Sequence, residues 1–332
     1  MEKMENQKIS ALIIIPARLA STRCPGKVLR DVCGMPLVVR TANAAMKVSD
    51  NVCVATDMPN VVALCGSSRI IKSRFGPLSA TFHETNFTGI YNCTVPFRNG
   101  TQRVAHAAAY LAHGGREFDV VLDWQVDEPE VPAEAVQRLI DAIPSTYSET
   151  INTRAFFEPR IATLAAPLNP GDRENPNVVK VVIDDHGNAL YFTRAAVPHA
   201  YRHVGIYAFT RDALTESAAL PESDIGKAEH LEQLDWLASG MLIKVVLCDH
   251  PYRGIDTEDD YREYVARFRS RELAEREAVA CEAGSEAGGV AKTVCRESGD
   301  ASRVEGSMAR EGIQPPKPAK PPICKSWAGW RY

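Results

Sequence analysis

The chain has 332 residues, 45% hydrophobic and 24% charged, a balance that supports a sizeable globular core and excludes a fibrous or wholly disordered chain. Its formal net charge of −4 excludes the basic footprint of a typical nucleic-acid binder. The polar start MEKMENQKIS leads into no signal-peptide core, and no stretch reaches the roughly 20 apolar residues that span a bilayer, so a cytoplasmic protein with no membrane partner is expected.

Ala11–Ile15 is a continuous apolar run closed by Pro16 and Arg18, and reads as a strand buried on both faces. Pro36–Val48 has helical spacing through Leu37, Val38, Ala42, Ala45 and Met46, and Asn51–Thr56 is a second short strand. Gly66–Phe97 has no clear period and exceeds the usual loop length, so it is expected to be an irregular insertion. Gln102–Ala112 is an alanine-rich helix, Asp119–Trp124 a third strand and Pro132–Ile143 another helix. This alternation predicts an α/β fold of three layers, a mostly parallel sheet with helices on both faces.

The pattern then turns β-rich, with strand-like runs at Ile161–Ala165, Val178–Ile183, Ala189–Phe192 and His203–Phe209. The turn-rich DDHGN at 184–188 predicts a hairpin between the second and third of these. A helix over Lys227–Ala238, a strand over Leu242–Leu247 and a helix over Glu258–Arg271, with Asp256 or Thr257 as its N-cap, complete the regular part. The expected organisation is a polar segment over 1–10, one domain over 11–270 and a tail over 271–332. That tail is Glu/Ala/Gly/Ser-rich, ends near PPKPAKPP, and has the composition of disorder. The nine cysteines form no CxxC pair, which argues against a disulfide framework or zinc site and makes most of them small buried hydrophobes or inert tail residues.

Chemistry concentrates first in IPARLASTRCPGK, directly after the first strand. Arg18, Arg23 and Lys27 bring positive charge, while Ser21, Thr22 and Gly26 bring small side chains and accessible amides. Such a loop at the C-terminal edge of a parallel strand suits a triphosphate, with guanidinium groups binding phosphate oxygens bidentately. The same decapeptide could equally be a solvated basic loop, and it is not a Walker A sequence. The second concentration is DWQVDEP at Asp123–Pro129, with Asp127 and Glu128 at the end of the third strand, and Asp256 far downstream. Carboxylates from distant segments meeting over a triphosphate make a plausible Mg²⁺ site, because Mg²⁺ takes few protein ligands and keeps water or phosphate for the rest. Taken singly, an acidic turn and a helix N-cap explain these residues as well.

Together the blocks resemble the CMP-KDO synthetases (3-deoxy-manno-octulosonate cytidylyltransferases) from about Ala11 to Arg269. The similar blocks are IIIPARLASTRCPGK, VATD at Val54–Asp57, NGTQR at Asn99–Arg103, WQVDEP at Trp124–Pro129, ATLAAP, NPNVVKVV at Asn175–Val182, ALYFTRAAVP at Ala189–Pro198, HVGIYAF at His203–Phe209, EHLEQL at Glu229–Leu234 and GIDT at Gly254–Thr257. The resemblance implies a Rossmann-like nucleotidyltransferase sheet with a small β-rich subdomain, and transfer of CMP from CTP to KDO with release of pyrophosphate. It implies that Arg18, Ser21, Arg23 and Lys27 hold CTP phosphates, with Arg103 and Gln125 bordering the nucleotide. Asp127 and Asp256 would carry Mg²⁺, and Arg194, His203, Tyr207, Glu232 and Gln233 would line the sugar pocket. Arg18, Lys27, Asp127 and Asp256 are the expected catalytic set. A homodimer and a place in lipopolysaccharide synthesis are also implied.

The sequence departs from the family pattern at several points. Val126 stands where glycine is usual, and a β-branched residue is costly if that backbone needs positive φ or close ligand approach. Gln102 replaces a glutamate, Asp235 reverses the charge of a usual arginine, and the segment between Pro198 and His203 is short. These departures keep two alternatives open: a cytidylyltransferase for another acidic sugar, such as an amino-KDO or a nonulosonic acid, and a nucleotide-binding homologue with impaired catalysis.

Overall fold

A computed structural model describes residues 9–18, 24–65, 69–71, 80–84, 89–143, 159–249 and 253–271. The tail beyond 271 and the loop residues Ser21, Thr22 and Arg23 lie outside the described residues.

The strands are β1 (Ala11–Ala17), β2 (Asp31–Val32), β3 (Met35–Pro36), β4 (Val52–Thr56), β5 (Arg69–Ile71), β6 (Ala80–Glu84), β7 (Gly89–Cys93), β8 (Val120–Trp124), β9 (Ile161–Ala166), β10 (Lys180–Ile183), β11 (Ala189–Thr193), β12 (Tyr201–Thr210) and β13 (Ile243–Leu247). The helices are α1 (Leu37–Ala45), α2 (Pro59–Cys65), α3 (Gly100–His113), α4 (Ala133–Asp141), α5 (Arg211–Ala219), α6 (Asp224–Glu229), α7 (Gln233–Ala238) and α8 (258–271). One mixed sheet runs β11-β10-β12-β8-β1-β4-β7-β6-β5, with β9 and β13 joined to it through β12. Its centre, β8-β1-β4-β7, is parallel; β12 pairs antiparallel with β8 and β6 antiparallel with β7, while the outlying β13 runs parallel to β9.

β1 shows why the first apolar run is continuous. Ile13 and Ile15 pack into one core with α1 and α4, while Leu12 and Ile14 pack into the other with α3. A strand buried on both faces leaves no position for polar alternation. The expected hairpin forms between β10 and β11. The Asp184 carboxylate accepts from the amides of His186 and Asn188, and Gly187 takes φ 76°. Cys24, Cys53, Cys93 and Cys248 are buried cysteines, and burial pushes the Cys53 thiol up to about 12.

Two expectations need correction, and one open choice is decided. The stretch 66–97 is not irregular throughout: it holds β5, β6 and β7, and β7 extends the parallel centre beside β4. The helix expected over Lys227–Ala238 is two short helices, because His230 takes a left-handed conformation (φ 54°, ψ 47°) that ends α6. Thr257, not Asp256, caps α8, since its hydroxyl accepts from the Asp260 amide at 3.1 Å and its own amide donates back to the Asp260 carboxylate at 2.8 Å.

The long strand β12 positions the site. One edge pairs with β9 along most of its length, while the other pairs first with β10 and then with β8. The partner changes near Gly205, and the chain leaves β8 at the same level, where the Gln125 amide donates to the Gly205 carbonyl at 3.1 Å. A change of strand partner opens a crevice in an α/β sheet.

Candidate functional site

A cavity of about 430 Å³ opens at this crevice. Its wall includes Arg18, Lys27, Arg103, Gln125, Asp127, Arg194, His203, Tyr207, Glu232, Gln233 and Asp256. Every sequence-predicted site residue that is described therefore meets in one pocket.

At one end, three distant segments are tied together. The Ile255 amide donates to the Asp127 carbonyl at 2.9 Å, and Lys27 Nζ donates to the Ile255 carbonyl at 3.1 Å and to the Asp127 carboxylate. Gly254 permits this approach, because a Cβ there would lie 2.8 Å from Glu128 Oε1. Asp127 and Asp256 thus line the same pocket beside a lysine ammonium. Two carboxylates with room for phosphate and water oxygens fit the donor set of Mg²⁺. Arg103 is almost fully buried. Its Nη2 donates to Asp57 at 2.9 Å, and its Nη1 is buried with no hydrogen-bond partner, so a residue of the pocket wall carries an unsatisfied cationic donor.

The other end is built from strand side chains and the α6–α7 connection. His203 stacks edge-on against Phe192 at 5.2 Å and tilts over Tyr207 at 5.2 Å, and Tyr207 meets Trp236 edge-on at 5.0 Å. Burial, with Arg202 and Arg194 adding to it, pushes His203 down to about 3, so its imidazole is neutral at pH 7 and shares a hydrogen bond with the Thr163 hydroxyl at 3.0 Å. Burial likewise raises the Tyr207 hydroxyl and the Glu232 carboxyl. Arg194 Nη1 donates to the carbonyls of Pro176 and Asn177, both at 3.2 Å.

Sequence reasoning gave several neighbouring residues no role in the site. Glu128 is buried and accepts from the Gly205 amide at 3.2 Å; burial and then Asp127 push it up to about 8, so it is neutral at pH 7. Arg202 adds a second guanidinium to the end that holds Arg194, paired with buried Asp172 at 3.3 Å. Asp123 is fully buried behind the pocket and neither carboxyl oxygen has a hydrogen-bond partner; burial first, then Glu232 and Asp127, hold it well above the usual carboxylate range. An acidic residue inside an otherwise apolar strand was the available signal for Asp123, whereas strand alternation puts Arg202 on the face opposite His203 and gave no signal for it.

The departures find physical explanations. Val126 is not in the left-handed region, its side chain joins the core, and its carbonyl accepts from the Thr41 hydroxyl at 2.7 Å. Asp235 stands away from the pocket wall and accepts from both the amide and the hydroxyl of Ser223 at 2.7 Å, with Arg98 at 3.8 Å. Gln102 accepts from the Arg98 amide and donates to the Ala218 carbonyl, bracing α3 against the end of α5. Neither replacement alters the charge lining the cavity. Among the described residues, no helix is long and apolar enough to cross a membrane.

Comparison with known proteins agrees with this geometry. The family model described as cytidylyltransferase matches residues 12–75 and 79–243. The 3-deoxy-manno-octulosonate cytidylyltransferase of Chlorobium luteolum is 38% identical over 272 residues, which cover 76% of this chain and 94% of the relative. The protein of the same description from an Anaeromyxobacter species is 38% identical over 261 residues, covering 75% of this chain and 92% of the relative. A solved structure of CMP:2-keto-3-deoxy-manno-octonic acid synthetase complexed with CTP superposes with a TM-score of 0.59 at 28% identity, covering 79% of this chain and 99% of that one.

Proposed function

Since the chain belongs to the cytidylyltransferase family, among the 3-deoxy-manno-octulosonate cytidylyltransferases, we propose that its pocket joins CMP from CTP to the anomeric oxygen of KDO. The observation that carries this reading is the single cavity with phosphate-binding cations and paired aspartates at one end and a cation, a neutral imidazole and hydroxyl-binding groups at the other.

The anomeric hydroxyl attacks the α-phosphorus in line. A new P–O bond forms as the bond to the β-phosphate bridging oxygen breaks, and pyrophosphate leaves. Arg18, Lys27 and Arg103 hold the triphosphate and offset the charge that grows on the leaving group. Arg194 orients the sugar carboxylate, while neutral His203, Tyr207, Glu232 and Gln233 receive hydroxyl groups. No covalent nucleophile is needed, because positioning and charge stabilisation supply the acceleration. Asp127 and Asp256 would hold Mg²⁺, which when bound polarises phosphate oxygens and eases ionisation of the attacking hydroxyl.

The product would be an activated KDO for lipopolysaccharide synthesis. A cytoplasmic homodimer belongs to the same reading, supported by the family likeness and open to sedimentation analysis. The deciding experiment mixes the protein with Mg²⁺, a panel of nucleotides and a panel of acidic sugars, and follows pyrophosphate. Release with CTP and KDO above all other pairs is expected. Preference for an amino-KDO or a nonulosonic acid would move the substrate assignment, and tight CTP binding with no turnover on any sugar would refute the catalytic reading.

A further inference from the structure

Lys180, in β10, is fully buried. An ammonium group removed from water is costly unless its donors are well partnered, and a methionine would fill a strand position without that penalty. Its Nζ donates to two main-chain carbonyls, those of Asn175 at 2.6 Å and Arg194 at 2.9 Å. Glu229, at the end of α6, grips the same turn from the other side. One of its carboxylate oxygens accepts from the Arg194 amide at 3.0 Å and the other from the Thr193 hydroxyl at 2.7 Å. The Thr193 hydroxyl accepts in turn from the Ala195 amide at 3.0 Å. Both main-chain polar groups of Arg194 are therefore fixed by charged side chains from other elements. The frame closes on itself, because the Arg194 guanidinium rests on the carbonyls of Pro176 and Asn177, in the loop that Lys180 holds at Asn175.

From this frame we infer that Lys180 and Glu229 are positioning residues for the acid substrate, presetting Arg194 so that its guanidinium receives the substrate carboxylate in one orientation. The inference rests on Arg194 as the carboxylate-binding residue. A planar guanidinium recognises a carboxylate through paired, directional hydrogen bonds, so its orientation governs affinity. Fixing it before the ligand arrives removes an ordering cost from binding. The contacts that build the frame among the described residues lie at the sugar end, so its loss should fall on the sugar.

The test measures calorimetric binding of KDO, and of its neutral carboxamide, to the full-length protein saturated with an unreactive CTP analogue. Wild type should prefer the acid. Lys180→Met should weaken KDO about tenfold or more while leaving the carboxamide and the CTP analogue within about twofold, so that the acid-to-amide preference collapses. In an Arg194→Ala background, Lys180→Met should add no further loss. Glu229→Gln should give the same pattern in milder form and serves as the test if Lys180→Met does not fold. Folded variants that keep the wild-type acid-to-amide ratio, even with a lowered melting temperature, would overturn the inference. A wild-type protein that does not distinguish acid from amide would overturn the role given to Arg194 instead.

Discussion

The two ends of the pocket are made by different means. The nucleotide end takes most of its charges from loops and strand ends, Arg18 and Lys27 after β1, Asp127 after β8 and Asp256 before α8, with Arg103 added from α3. The sugar end takes His203 and Tyr207 from the body of β12, where they are also part of the aromatic core with Phe192 and Trp236. A loop charge can change with little effect on folding, whereas a strand aromatic serves binding and packing together. The contrast says that damage to the first end should appear as lost catalysis in a stable protein, and damage to the second as lost stability along with lost sugar affinity.

The strongest challenge to that contrast is Asp127→Asn. Pyrophosphate release should fall roughly 10²- to 10³-fold, while the denaturant midpoint stays near wild type. A variant that turns over at the wild-type rate would remove Asp127 from the machinery. Trp236→Ala probes the opposite end. Its ring packs edge-on against Tyr207 and Phe209 at 5.0 and 5.3 Å, and urea titration should show a loss of about 3–5 kcal/mol.

His203 sharpens the comparison through pH. Its folded value of about 3 lies below the usual 6.5, so the unfolded chain binds the extra proton between those limits. Stability should therefore fall as pH drops from 6.5 towards 3, and His203→Gln should flatten that slope by about 1 kcal/mol per pH unit, read from urea midpoints. Parallel slopes for wild type and variant would show that this imidazole takes up its proton in the folded state. The smallest effect belongs to the exposed pair Arg138–Asp249, at 3.4 Å with side chains 47% and 78% exposed. Arg138→Ala should change stability by less than about 1 kcal/mol and leave turnover unchanged.

The same division governs what the sequence makes legible. Arg18, Lys27, Asp127 and Asp256 could be found because charges crowded after apolar runs announce a loop at a sheet edge. His203 and Tyr207 sit in an alternating strand where any aromatic suits the core, so only the ordered family blocks marked them. The strand GIYNC at β7 was missed because its glycine and asparagine dilute the β signal, and its place is fixed by pairing with β4. No glycine or proline marks the break at His230, which holds its left-handed turn through the α6–α7 packing. The neutral state of Glu128 and the grip of Lys180 on Arg194 arise from burial and long-range partners, which no local pattern encodes. Val126 would be costly only on a backbone that needs positive φ or close ligand approach; its φ lies outside the left-handed region and its side chain joins the core.

The bond from Lys27 to the Ile255 carbonyl joins residues 228 positions apart in sequence. The chain from β1 to the start of α8 must be synthesised before those two groups can meet. A ribosome-bound fragment ending at β12 already owns Lys27 and Asp127 but lacks Ile255 and Asp256, which complete this end of the pocket. Competence to hold substrate is thus a certificate of completed folding, and ligand added during refolding should favour the finished molecule over every truncated or half-assembled form.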